Sequence, residues 1–225
     1  MFIGHFAVGL GAKKIAPGIS LGLLFFGAQF LDLLWPTFLL LGIETVEIQP
    51  GNTAFTPLNF TSYPFSHSLL TVVGWSVLLG GSYYLLRKKA RAAMVLGLCT
   101  ASHWFLDFIM HRPDLPLIPG RDIKAGLGLW NSVLASLIVE LLLFVAGTYL
   151  YLKTTEATNK TGVYSFWALA IFLLIIYLSN AFGPPPPSVE SIAWAGQLQW
   201  LLIIWAFWTD KNRELQVQPR SANNQ

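Results

Sequence analysis

Six apolar stretches dictate what this chain can become. Ser20–Leu41, Ser68–Leu86, Ala92–Met110, Leu127–Leu152 and Val163–Phe182 each reach about the 20 residues a helix needs to cross bilayer hydrocarbon, and a sixth, Ile192–Trp208, comes close. Only 11% of the residues are charged, against about 25% in an ordinary soluble domain, so a water-soluble globule is excluded. The leading segment Phe2–Ala12 is apolar but too short to span alone, and with Lys13 and Lys14 behind it rather than in front it makes a poor cleavable signal. The expected architecture is an all-α, polytopic integral membrane protein with about six transmembrane helices and a short N-terminal interfacial or re-entrant helix. It forms one helical domain over residues 1–210, followed by a polar cytoplasmic tail over 211–225.

Loop charge sets an orientation, because Lys and Arg in short loops are retained in the cytoplasm. Arg87, Lys88, Lys89 and Arg91 crowd one turn, Lys13 and Lys14 precede the first long span, and Lys211 and Arg213 follow the sixth. These positions, and with them both termini, are expected inside. The connection Gly42–Ser66 carries Glu44 and Glu47 but neither Lys nor Arg, and Gly183–Pro187 is uncharged, so both are expected outside. One loop dissents: His111–Ala125 holds Arg112, Arg121 and Lys124 beside Asp114 and Asp122. The net charge of +3 resides in loops and tails, which implies the lipid bilayer as partner and no nucleic acid. The single Cys99 builds neither a disulfide framework nor a thiolate cage.

Three carboxylates interrupt the apolar runs: Asp32, Asp107 and Glu140. At a helix centre each costs roughly 2.5 to 3.5 kcal/mol, on the order of 9 kcal/mol together, unless partners offset it. Histidines are the available partners. His103, Asp107 and His111 recur every four residues and so share one stripe of a helix, while His67 opens another span. Imidazole nitrogen with carboxylate oxygen is the donor set of zinc and other first-row metals. His67, His103, Asp107 and Asp32 are therefore the candidate ligands of a divalent metal, zinc for preference, with His5 and His111 peripheral. Glu140, on a stripe with Ser132 and Ser136, is the candidate general base.

The arrangement of Gly4-His5-Phe6, Leu31-Asp32-Leu33, Ser66-His67-Ser68-Leu69-Leu70 and His103 with Asp107 resembles the membrane-bound, metal-dependent hydrolases of bacteria. That group is also called the LexA-binding, inner-membrane-associated hydrolases. The resemblance runs from His5 to His111; Leu33-Leu34-Trp35-Pro36 and Tyr63-Pro64-Phe65-Ser66 depart from it. It implies residence in a bacterial inner membrane and hydrolysis of a membrane-accessible (phospho)ester or amide, on a lipid or lipid-linked substrate, by a metal-activated water. Two rivals use the same residues: a transporter or proton-coupled permease with a His/Asp/Glu relay, and a non-catalytic membrane protein whose polar cluster fixes helix packing. Internal repeats, a frequent mark of transporters, are not evident in the sequence.

Overall fold

A computed structural model describes residues 1–216, and the chain is mostly helical. Among the described residues five helices are long and apolar enough to cross a membrane: α2 (Leu21–Leu40), α4 (Leu69–Arg87), α5 (Ala90–Met110), α6 (Val133–Thr154) and α7 (Lys160–Phe182). Shorter helices are α1 (Ile3–Ile15), α3 (Pro64–His67), α8 (Val189–Gln197) and α9 (Gln199–Lys211). Side-chain oxygens start the helices: Ser20, Ser68, Ser132, Asn159 and Ser188 accept from the amides of Leu23, Thr71, Ala135, Gly162 and Ser191. Each supplies an acceptor for an N–H that the helix itself leaves unpaired.

The sixth apolar run does not form one helix. It divides at Leu198, where the Leu198 and Leu201 amides bond three residues back, to Ala195 and Leu198. The tightening lies where Gly196 packs on the Pro36 ring so closely that a methyl there would overlap it. Pro36 also has no N–H for the carbonyl of Asp32. The Gln199 side chain supplies the missing donor, 3.2 Å from Asp32 O. The Pro36 turn of α2 and the broken α8–α9 pair thus fit each other.

Helix α1 is no surface helix. Ile3, Gly4, His5, Phe6, Ala7, Gly9, Leu10, Ala12 and Lys13 are buried, and it packs between α2, α5 and α6. Its contact with α6 needs Gly147, where a Cβ would overlap the backbone of Ala7. Such small-residue contacts are how helices associate in lipid, where apolar burial gives little drive. At 13 residues α1 is about 20 Å long, short of a full crossing.

The two ends of the bundle differ. One is basic: Lys13 lies 2.7 Å from Asp210, and Lys89 and Arg91 sit with Ile15 and Pro17 around a small cleft. There β5 (Thr155–Ala157) pairs antiparallel with β6 (Arg213–Leu215), so the start of the expected tail is ordered. Its remainder, from 217 on, lies outside the described residues. The other end carries the hairpin of β1 (Thr45–Ile48) and β2 (Leu58–Ser62), the short α3, and the small pair β3 (Leu115–Pro116) and β4 (Lys124–Ala125). The polar cluster described next lies toward this strand end.

Candidate metal centre

Four of the sequence-selected residues converge from three elements. Asp32 comes from the middle of α2, His67 from the last position of α3, and His103 and Asp107 from successive turns of α5. They alternate as a ring. His67 Nε2 lies 3.5 Å from Asp32 Oδ1 and 3.7 Å from Asp107 Oδ2, and His103 Nε2 lies 3.6 Å and 3.2 Å from the same two oxygens. A tetrahedral first-row ion with donors at about 2.0–2.1 Å separates neighbouring donors by about 3.3–3.4 Å. The four sides of the ring, at 3.2–3.7 Å, run from just below that spacing to about 0.3 Å above it. Asp32, His67 and His103 on one side, and His5, His103 and Asp107 on the other, form groups that could hold a metal ion.

Hydrogen bonding decides which nitrogen faces the ring. His103 Nδ1 donates to the carbonyl of Ala28 at 2.8 Å, an acceptor that leaves it no other role. Nε2 of a neutral His103 then presents a lone pair, and among the described residues it is buried without a hydrogen-bond partner. Lone pairs of nitrogen and carboxylate oxygen facing one another in a dry interior repel unless positive charge lies among them. The ring is accessible on one side only, since the Asp32 side chain is 22% exposed while those of His67, His103 and Asp107 are almost wholly buried.

His5 is nearer than its peripheral assignment suggests. Its ring stacks on that of His103 with centroids 3.5 Å apart, and its Nε2 is 3.1 Å from Asp107 Oδ1. Asp107 therefore divides its oxygens, Oδ1 toward His5 and the Met1 amine and Oδ2 toward the ring. That amine lies inside the bundle, not at the basic end. Glu140 lies at the start of α1, where its Oε2 accepts from the amides of Phe2 and Gly4 at 2.9 and 3.1 Å. A carboxylate at a helix N-terminus meets both unpaired N–H groups and the positive end of the dipole. Its Oε1 is buried and has no partner among the described residues.

His111 does not join the ring. Helix α5 ends at Met110, and the extended backbone of His111 (ψ 144°) turns the side chain toward Asp114, whose Oδ1 accepts from His111 Nδ1 at 2.9 Å. Tyr63 donates to the same oxygen at 3.2 Å, and Arg112 bridges Asp114 and Asn59. Burial lowers the basicity of His111 against the opposing pull of Asp114. Burial and the neighbouring Asp114 both push the Tyr63 phenol well above its ordinary value, so it remains a donor.

Two residues without an assigned role support His67. Glu44 Oε1 accepts from the amides of Phe65 and Ser66, both at 2.8 Å, and its Oε2 lies 2.6 Å from Ser66 Oγ. Ser66 Oγ in turn lies 2.7 Å from His67 Nδ1. In the sequence Glu44 reads only as a loop charge, and nothing in its spacing marks its burial against the Ser66-His67 pair. No model of a known protein family, no curated protein and no solved structure matches the chain.

Proposed function

We propose that the protein is a metal-dependent membrane hydrolase, with His67, His103, Asp32 and Asp107 holding one zinc-like ion. The supporting observation is the buried, unpartnered Nε2 of His103 within a ring of four donors at 3.2–3.7 Å. A single proton would serve one side of that ring, whereas one divalent cation serves all four donors. A bound zinc-like ion supplies a Lewis acid and brings the pKa of a water to about 7. The chain's own residues do the rest. Asp32 marks the open side, by which a substrate bond arrives; the Ala28 carbonyl fixes His103; His5 and the first turn of α1 hold Asp107 from behind. Glu140, with Oε2 engaged by α1, keeps Oε1 free to accept a proton. The same residue pattern is what resembles the bacterial membrane-bound hydrolases.

Five long helices and the broken α8–α9 pair would make six crossings, the pair together spanning about 33 Å. The shared basic end faces the cytoplasm in this reading and the metal ring opens toward the strand end, near the opposite surface, in a bacterial inner membrane. A cysteine at exposed Ala54, in a Cys99→Ser background, is expected to react with a membrane-impermeant thiol reagent on intact cells. Labelling only after permeabilisation would reverse the orientation.

The functional reading is tested by elemental analysis of protein purified without chelator, followed by a hydrolysis screen over phospholipids, lipid phosphates and model esters. About one divalent metal per chain is expected, with chelation abolishing turnover. Glu140→Gln retains an oxygen for the Phe2 and Gly4 amides but accepts no proton, so metal content should hold while the rate falls by about 10²- to 10⁴-fold. Wild-type protein that neither carries nor takes up metal would overturn the proposal.

A further inference from the structure

The contact between Ser66 and His67 has a direction that can be worked out atom by atom. Ser66 Oγ has one proton and two neighbours, Glu44 Oε2 at 2.6 Å and His67 Nδ1 at 2.7 Å. An ionised carboxylate only accepts, so the hydroxyl proton goes to Glu44, and Ser66 Oγ must then accept from His67. The proton of neutral His67 therefore resides on Nδ1, leaving a lone pair on Nε2, the atom that faces Asp32 and Asp107. All three groups are buried, which keeps water from substituting for any of them.

We propose that Glu44 and Ser66 are positioning residues that hold His67 in its Nδ1–H form and aim Nε2 into the ring, a role that rests on reading the ring as a metal centre. His103 receives the same treatment from a backbone carbonyl, so the two imidazoles are fixed by different means to the same end. Glu44 sits in the connection after α2, the helix that carries Asp32, whereas Ser66 and His67 share α3. The relay thereby ties the placement of one ligand to the segment leading from another. Partners of this kind change metal affinity typically by about 10- to 100-fold when removed.

Glu44→Gln reverses the direction of the relay. An amide NH₂ facing Ser66 Oγ donates to it, the hydroxyl proton turns toward His67 Nδ1, and the imidazole proton moves to Nε2, where it blocks a metal. Ser66→Ala removes the link by deleting one atom, which the fold should tolerate. Nitrogen-15 NMR of the metal-free protein, labelled at histidine, assigned by the signals lost in His67→Gln and recorded toward alkaline pH until the imidazoles are neutral, reads the tautomer directly. We expect the Nδ1–H form in the wild type, the Nε2–H form in Glu44→Gln, and zinc affinity reduced about 10- to 100-fold in both variants. The relay is overturned by an Nε2–H wild type, or by variants whose tautomer and zinc affinity match the wild type. A wild type that binds no zinc yet shows the predicted tautomers would refute the metal reading and leave the hydrogen-bond relay standing.

Discussion

Replacing His103 by alanine is expected to remove bound metal altogether, whereas replacing His111 is not. His103 belongs to both groups of donors that could hold an ion, is fully buried, and has its other nitrogen committed to Ala28. Without it the ring keeps two carboxylates and one imidazole, three donors in place of four to hold an ion. His111 continues the four-residue spacing but lies past the end of α5 and bonds to Asp114 and Tyr63, away from the ring. Elemental analysis of His103→Ala and His111→Ala should therefore separate cleanly. Thermal unfolding in detergent adds a check independent of any substrate, since zinc at 100 times its dissociation constant stabilises the native state by about 2.7 kcal/mol. Added zinc should raise the unfolding temperature of the wild type and of His111→Ala and leave His103→Ala unmoved. Equal metal content in His103→Ala and wild type would remove the centre from His103.

The same contrast shows what sequence could and could not convey. His103 and Asp107 were legible as a pair because a four-residue step keeps side chains on one helix face, and their cost in lipid made convergence with Asp32 and His67 a physical requirement. Extending the stripe to His111 assumed a helix that continues. Pro113 restrains Arg112 from helical geometry, and α5 stops just short of it at Met110. Glu44 reads only as a loop charge because it lies 22 positions before Ser66 in a connection whose fold no periodicity specifies. The long spans could be read from apolar length alone. The break at Leu198 could not, because it depends on Gly196 meeting Pro36 of another helix. Glu140 is legible as an acid within an apolar run, on a stripe with Ser132 and Ser136. Its contact with α1 depends on that helix entering the bundle, which a short apolar leader does not reveal.

Asp210→Ala should be the most destabilising single change at the opposite end of the bundle. In the sequence Lys13 and Asp210 are charges at the edges of apolar runs, but in the fold they are a largely buried pair that joins four helices. Asp210 Oδ2 accepts from Lys13 of α1 at 2.7 Å and from the first amide of α2, Leu21 N, at 3.1 Å; Oδ1 accepts from Tyr151 of α6 at 2.9 Å. Truncation leaves the Lys13 ammonium with only the Ile19 carbonyl, and the Leu21 and Tyr151 donors with nothing. Breaking such a pair from one side typically costs about 3–5 kcal/mol, because the remaining charge stays desolvated. Lys13→Met should cost less, since the carboxylate keeps two donors, and the double variant Lys13→Met/Asp210→Leu should recover much of the loss by removing both charges. Denaturant unfolding in detergent measures all three. A loss below about 1 kcal/mol for Asp210→Ala would mean that water reaches the pair and that it behaves as a surface ion pair. Metal content should survive the substitution, because Asp32, His67, His103 and Asp107 are held at the strand end by contacts that do not pass through Lys13 or Asp210.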